Sequence, residues 1–516
     1  MIPAAAAGTT YRWGIPPGPP KEMKLYEEAA VSLMTRIAKR MSSIPNELLH
    51  EERRASGFPL GTTKVLWKKF YVAKPATEDG HIAGFGGTGS GKSSCIAQNA
   101  LESWADPFVA TDIDCELSDR YEDLEMPDKR PYKVINLTRR IGTFPSYDPL
   151  HIIRAQQGDI FEEVIDLVNC LIPLPYSESE PFWKEAGRDL LTGFIIYYID
   201  EGYDFNTVMK FVHDIPHQDI IAGISSSNND LAKAMVSQFL NVDSEDLANN
   251  KMFLSLSTTI KKHVRLFATN PVICAAFAPS EEVVTWADLD IHNIFISIDH
   301  DRLEQYGGAV RLIATQLARE LERRPRKHTP SAHRMKPLLL MLDEFPAYGK
   351  LDIITGALAT LRKKDVTIAL FAQSLSQFDM IYGEHERKVI LDNLSYLAIL
   401  RVSEPDSQRY LAERIGYRKV AKVTNSESFN GKTKEKTNYS TSISHQWEYI
   451  IRPSELGKLK DDFVLVAPEG VYWAKKDPYY AEKKDNEKGF FSRIARTIKD
   501  IVAKIKSFMQ KFFGSS

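Results

Sequence analysis

Apolar and polar positions follow two rhythms along this chain. Between residues 80 and 140, short apolar runs alternate with helical spacings. His81-Ile82-Ala83-Gly84-Phe85 precedes a helical pattern over 94–104, and further strand-like runs fall at 108–111 and 132–137. Strands alternating with helices predict a parallel α/β sheet. The alternation stops at about residue 156. From there to residue 270 the spacing is helical, over 160–171, 182–198, 231–240 and 252–268, which predicts an inserted all-α domain. Strand signals return at 294–298, 338–342, 366–372 and 396–402, with helical patterns over 308–323 and 353–363 between them. A closing hairpin is expected over 463–467 and 471–474.

The flanks read differently. Residues 1–20 are rich in Ala, Gly and Pro, and Leu25, Ala29, Leu33, Ile37 and Met41 predict a helix over 21–43. Val65-Leu66-Trp67 is strand-like. Residues 422–446 are rich in Ser, Thr, Asn and Lys without apolar periodicity, so a mobile loop is expected there. In the tail, Phe491, Ile494, Ile498, Ile501, Val502, Ile505, Phe508, Met509, Phe512 and Phe513 form a helical stripe. Arg493, Arg496, Lys499, Lys504, Lys506 and Lys511 lie largely off it. Such a basic amphipathic helix over 481–516 fits an anionic membrane surface; it also fits packing on the protein's own body or a neighbouring subunit.

The stretch after the first strand carries the chemistry. Gly86-Gly87-Thr88-Gly89-Ser90-Gly91-Lys92-Ser93 is a G-x-x-x-x-G-K-S loop, with Ser94 opening the helix. Its glycines let successive backbone N–H groups turn toward a phosphate, Lys92 reaches β- and γ-phosphate oxygens, and Ser93 suits a Mg²⁺ shell. A partner acid is expected on a neighbouring strand. The apolar run 337–342 ends in Asp343-Glu344, where Asp343 suits the metal-linked carboxylate and Glu344 the group that polarises attacking water.

Bulk properties narrow the class. The 516 residues suggest about two or three domains. A net charge of −2 gives no global footprint for nucleic acid, so any such contact must be local. Arg323, Arg324, Arg326 and Lys327 are the local candidate: a solvated loop by default, a phosphate-binding loop in a ring. The 4 cysteines lack metal-ligand spacing and read as reduced thiols of a cytosolic chain. The longest apolar run, 190–199, is about half of what spans a bilayer, so the chain is not expected to cross one.

Taken together, these residues resemble the type IV coupling proteins, the TraG/TraD-like ATPases of conjugation and type IV secretion. The resemblance covers roughly residues 80–480 and rests on motifs in the family's order. After 86–93 come Ser146-Tyr147-Asp148-Pro149-Leu150, Pro181-Phe182-Trp183, and Leu342-Asp343-Glu344-Phe345-Pro346-Ala347-Tyr348-Gly349-Lys350-Leu351. Arg362-Lys363, Ala372-Gln373-Ser374-Leu375-Ser376-Gln377, Tyr382-Gly383 and Arg452-Pro453 follow. The resemblance implies a RecA-like nucleotide-binding domain over 61–155 and 271–480, interrupted by the all-α domain at 156–270. Residues 1–60 would be an N-terminal extension. It also implies ATP and Mg²⁺, a ring of six that can be a monomer in isolation, and DNA or protein cargo engaged by the all-α domain. The implied partners are a relaxase–nucleoprotein complex, the channel ATPase and inner-membrane components. Gln373 matches the γ-phosphate sensor and Arg362 an arginine finger given to the neighbouring subunit. The expected location is the cytoplasm, or the cytoplasmic membrane's surface.

Three features depart from the family pattern: no transmembrane segment at the start, Asp114-Cys115 where many relatives carry Lys-Gly, and Asp148 where Asn is common. The rival readings are a substrate receptor whose nucleotide site only controls assembly, and a duplex-DNA translocase of chromosome segregation. The all-α insertion argues against the second.

Overall fold

The computed structural model describes residues 42–66, 68–155, 160–174, 181–327, 329, 335–429 and 436–481. Residues 1–41 and 482–516, which carry most of the predicted N-terminal helix and the C-terminal stripe, lie outside the described residues. The chain divides into two compact units. One takes in Met1–Leu49, Lys64–Phe70 and Tyr480–Ser516, and its described part holds the short 3-10 turn Asn46–Leu48. There Leu66 has φ +56, so the strand-like 65–67 run breaks at a turn instead of continuing. The other unit, His50–Thr63 with Tyr71–Tyr479, holds everything below.

Its centre is a parallel sheet. Side by side run Leu394–Ile399, His81–Phe85, Val366–Ala372, Leu338–Leu342, Phe108–Ile113, Asn293–Ile298 and Tyr132–Leu137. The four strands around the phosphate loop are apolar almost without interruption, as expected when helices cover both faces. Beyond Leu394–Ile399 the sheet turns antiparallel through Asp462–Ala467 and Gly470–Lys475, matching the expected closing hairpin. Phe58–Val65 follows at Thr62. The sheet therefore gains a strand ahead of His81, which Pro59 and Gly61 disguise in the sequence.

Two expectations need correction. The acid strand does not neighbour the phosphate-loop strand, because Val366–Ala372 lies between and pairs with both. And within the expected 422–446 loop, 422–429 and 436–446 are strand. Tyr417–Phe429 and Lys436–Tyr449 pair antiparallel as a two-stranded sheet of their own. Where its side chains are described, the ribbon's middle is open on both faces: Val423 and Ile443, cross-strand partners on one face, are 57% and 63% exposed, and Lys422 and Ser444 on the other are exposed too. A ribbon with no buried face needs no apolar alternation, so the usual strand signal is missing. Asn430-Gly431, between two runs rich in Ser, Thr and Tyr, was the available hairpin signal.

Between Tyr132–Leu137 and Asn293–Ile298 the described elements are helical, chiefly Ile160–Leu171, Pro181–Asp200, Phe205–Asp214, His217–Ser226 and Lys251–Thr269. The expected 231–240 helix is shorter, Asp230–Met235, followed by a 3-10 turn. Local chemistry sets the starts. Asp204 accepts the Thr207 N–H, and Asn250 and Asn270 each accept two backbone N–H groups of the helix they precede. Leu191, Phe194, Ile260 and Val264 join the same apolar core as Ile296 and Leu340 of the sheet. Trp183 packs against that core, whereas its neighbour Phe182 is 54% exposed.

Candidate nucleotide site

The phosphate loop sits at the carboxyl end of His81–Phe85, where open parallel sheets gather ligands. Both flanking strands hold its entry: the Gly86 N–H donates to the Ala372 carbonyl at 3.2 Å, the Gly87 N–H to the Arg401 carbonyl at 2.9 Å. Gly89 and Gly91 adopt φ of +67 and +102, which a side chain would resist. A Cβ on Gly86 would lie 2.4 Å from the Ser90 hydroxyl. Lys92 is buried, and its ammonium donates to the Gly86 carbonyl at 2.6 Å.

The acid turn meets the loop from two strands away. The Asp343 N–H donates to the Thr111 hydroxyl at 2.8 Å, and the Tyr348 hydroxyl donates to the Asp343 carbonyl. Phe345 stacks on Tyr382 at 5.8 Å, closing the floor beneath the turn. The Ser93 hydroxyl donates to the Asp343 carboxylate at 3.3 Å. Glu344 adopts the left-handed conformation, φ +47, which costs a non-glycine residue about 1–2 kcal/mol. That turn aims its carboxylate at Lys92 and Gln373. The Gln373 amide donates to Glu344 Oε1 at 3.1 Å, and the Thr88 hydroxyl donates to Gln373 Oε1 at 3.5 Å. Burial pushes the Asp343 carboxyl up to about 6, helped by the Glu344 charge and opposed by Lys92. A buried acid beside a half-buried one, with one lysine between them, suits a divalent cation, and Ser93 with Asp343 would hold it.

A family model described as "Type IV secretory system Conjugative DNA transfer" matches residues 38–511. The chain belongs to that family. Protein VirD4 of Rhizobium radiobacter is 24% identical over 193 residues, 37% of this chain and 27% of VirD4. The conjugal transfer protein TraG of Rhizobium radiobacter is 21% identical over 425 residues, 78% of this chain and 63% of TraG. The chain thus spans between about a quarter and two thirds of these relatives' length. Among solved structures, the conjugative coupling protein TrwB lacking its first 70 residues, with sulphate bound, superposes at TM-score 0.59. It is 14% identical, over 79% of this chain and 87% of that one. TrwB in complex with the non-hydrolysable ATP analogue ADPNP superposes at 0.58, also at 14% identity, over 79% of this chain and 87% of that one. The shared fold is the RecA-like P-loop fold with its helical region.

In this family member the remaining candidates lie elsewhere. Arg362 is exposed and precedes Val366–Ala372, so it stands at the amino edge of the sheet, opposite its own phosphate loop. Of the basic loop, Arg323 pairs with Glu163 and Glu320, Arg324 donates to the Lys336 carbonyl, and Lys327 pairs with Asp79 and Asp365. Arg326 is exposed. The Lys327 N–H donates to the Lys363 carbonyl at 2.8 Å, placing this loop beside Arg362 rather than beside Lys92.

Two of the three family departures, Asp114-Cys115 and Asp148, have structural partners. Asp114 and Cys115 both take left-handed φ, +55 and +61, and turn the chain so that Asp112 caps the next helix. Its carboxylate accepts from the Leu117 and Ser118 N–H groups and from the Ser118 and Ser297 hydroxyls. Asp148 accepts from the Leu150 and Phe205 N–H groups, a role that needs only an acceptor oxygen. No helix of the described residues is long and apolar enough to cross a membrane.

Sequence reasoning missed Thr111, Tyr348, Arg401 and Arg311. Arg311, buried in helix Leu303–Arg323, donates to the Tyr348 carbonyl at 2.8 Å and twice to the Cys170 carbonyl, at 2.7 and 3.2 Å. It ties the acid turn to helix Ile160–Leu171. A buried charge satisfied by carbonyls leaves no trace in spacing; the one hint was an Arg inside an apolar helical face.

Proposed function

We propose that this chain is a Mg²⁺-dependent, ATP-hydrolysing motor acting as a type IV coupling protein, which recruits DNA, a relaxase–nucleoprotein complex or protein cargo and moves it to a secretion channel. The observation that carries the reading is the convergence of Lys92, Glu344 and Gln373 over one phosphate loop. Lys92 moves its charge from the Gly86 carbonyl onto the β- and γ-phosphates. Glu344 takes the proton of the attacking water, and Gln373, bonded to it, reports whether a γ-phosphate is present. Ser93 and Asp343 would hold a divalent cation, which would supply charge neutralisation at the phosphates. TrwB solved with ADPNP and with ADP and Mg²⁺ supports the same ligands here.

The working form we propose is a ring of six in which Arg362 reaches the neighbour's γ-phosphate; its exposed place far from its own loop favours that role. Helices within 156–270 would face the cargo, next to channel ATPase and inner-membrane partners. DNA contact by the 323–327 loop would rest mostly on Arg326, since Arg323 and Lys327 are ion-paired and Arg324 is bonded to the Lys336 carbonyl. The test is ATP turnover by the full chain, with and without DNA, at concentrations that assemble it. Turnover that Glu344→Gln abolishes supports the motor. ATP binding without any turnover in assembled wild type would leave a receptor whose nucleotide site controls assembly.

A further inference from the structure

The phosphate loop has two sides, and only one has a role so far. Glu344 and Gln373 line the side of Val366–Ala372 and Leu338–Leu342. On the other side Leu394–Ile399 ends beside the loop, where the Leu400 N–H donates to the Phe85 carbonyl at 2.8 Å. Arg401 follows. Its carbonyl accepts the Gly87 N–H, and its exposed guanidinium donates to the Thr88 carbonyl at 3.2 Å.

A second cation arrives from the end of the sheet. After Gly470–Lys475 the chain crosses the start of the phosphate-loop helix as a strap. The Lys476 N–H donates to the Asp461 carbonyl at 2.7 Å, the Asn99 amide to the Asp477 carbonyl at 2.7 Å, and the Tyr479 N–H to the Ser94 carbonyl at 3.0 Å. Arg53 pairs with the Asp477 carboxylate. So fastened, the strap places Lys476 Cδ 3.7 Å from where a Cβ on Gly91 would stand. The Lys476 ammonium makes no hydrogen bond or ion pair among the described residues, and burial holds its pKa below the usual value, with Arg401 adding to the effect. Asp461 and Asp462 offset this only in part, and the half-buried ammonium beside the phosphate loop has no bonded anionic partner among the described residues. An anion there would supply one.

We propose that Arg401 and Lys476 form a second cationic wall of the nucleotide site, taking the α-phosphate and ribose end of a nucleoside di- or triphosphate. The inference rests on the nucleotide reading above. With the transferable phosphate at Glu344 and Gln373, the rest of the molecule must leave toward the opposite side of the loop, and these are the charges that stand there. Because α- and β-phosphates are common to both ligands, this wall should hold ADP as firmly as ATP, which distinguishes it from Arg362 and Gln373.

The experiment is calorimetric titration of the full chain with MgATP and with MgADP. Lys476→Met and Arg401→Gln should each weaken both ligands by about 10- to 100-fold, the worth of one charge-assisted hydrogen bond. Lys476→Arg should recover most of the loss. Acetylation of Lys476 in the wild-type chain, followed by mass spectrometry, should slow when ADP is added, which keeps the test open if a variant does not fold. Unchanged affinity in folded variants, a loss confined to ATP, or no protection by bound ADP would overturn the wall while leaving the nucleotide site standing. A wild-type chain that binds neither ligand would overturn both.

Discussion

Lys92 and Glu344 face each other across the phosphate loop, with Nζ 3.5 Å from Oε1. In the proposed motor this pair would be a lock that phosphate opens. A lysine drawn onto the β- and γ-phosphates would leave the acid free to accept a proton, coupling binding and water activation through one contact. Lys92→Ala should therefore abolish nucleotide binding. Glu344→Gln should keep ATP bound while lowering turnover about 10²- to 10⁴-fold, the range for a positioned base. Filter binding beside phosphate release separates the two. A wild-type rate in Glu344→Gln would remove that residue from the chemistry.

Arg362 cannot serve its own loop, since the length of Val366–Ala372 stands between them, about 23 Å at strand spacing. An Arg362→Ala chain mixed with a Lys92→Ala chain should regain turnover, because some sites then pair two intact halves. Arginine fingers contribute about 10³–10⁵ in rate, so each variant alone should be near silent. No recovery in mixed assemblies of verified composition would count against action between subunits.

Arg311 predicts a stability effect with a functional shadow. Arg311→Leu removes the donors of the Tyr348 and Cys170 carbonyls in a dry interior, which should cost about 2–3 kcal/mol. The denaturant midpoint measures it. Because the same side chain anchors the acid turn, turnover of the still-folded fraction should fall as well.

Two buried histidines set an acid limit. His81 Nε2–H donates to the Leu358 carbonyl at 2.8 Å while Nδ1 accepts the Ile368 N–H at 3.0 Å, which fixes the neutral ring. Burial lowers the pKa of His81 and of His217 to about 4. A folded pKa below the unfolded value of 6.5 means that the unfolded chain binds the proton first. Their stabilisation is complete above pH 6.5 and is lost as pH falls toward 4, approaching about 1.4 kcal/mol per pH unit for each ring. Unfolding free energies from pH 7 to 4.5 should show that slope, and His81→Gln should reduce it.

The candidate site was legible in the sequence wherever it is local. The loop from Gly86 to Ser93 carries its motif in consecutive residues, and Asp343-Glu344 announces itself by ending an apolar run. Gln373, read as ending a strand beside that run, does lie within hydrogen-bond reach of Glu344. What could not be read is lateral order. Nothing near residue 81 or residue 338 says that Val366–Ala372 will settle between them. For the same reason Thr111, Arg401 and Lys476, which reach the site from other strands, look like ordinary strand-end residues. The ribbon of Tyr417–Phe429 and Lys436–Tyr449 was missed on different grounds: its described side chains offer no apolar face, and backbone pairing carries it.

If Arg362 serves a neighbouring copy, as proposed, its placement opposite the phosphate loop also sets the kind of assembly open to this chain. A contact joining one copy's amino edge to the next copy's carboxyl edge is heterologous, not twofold. A pair of copies built that way has one finished site and one unfinished one, and two unsatisfied ends that invite a third copy. Growth stops only when the last copy meets the first, so closure would be the step that switches every site on together.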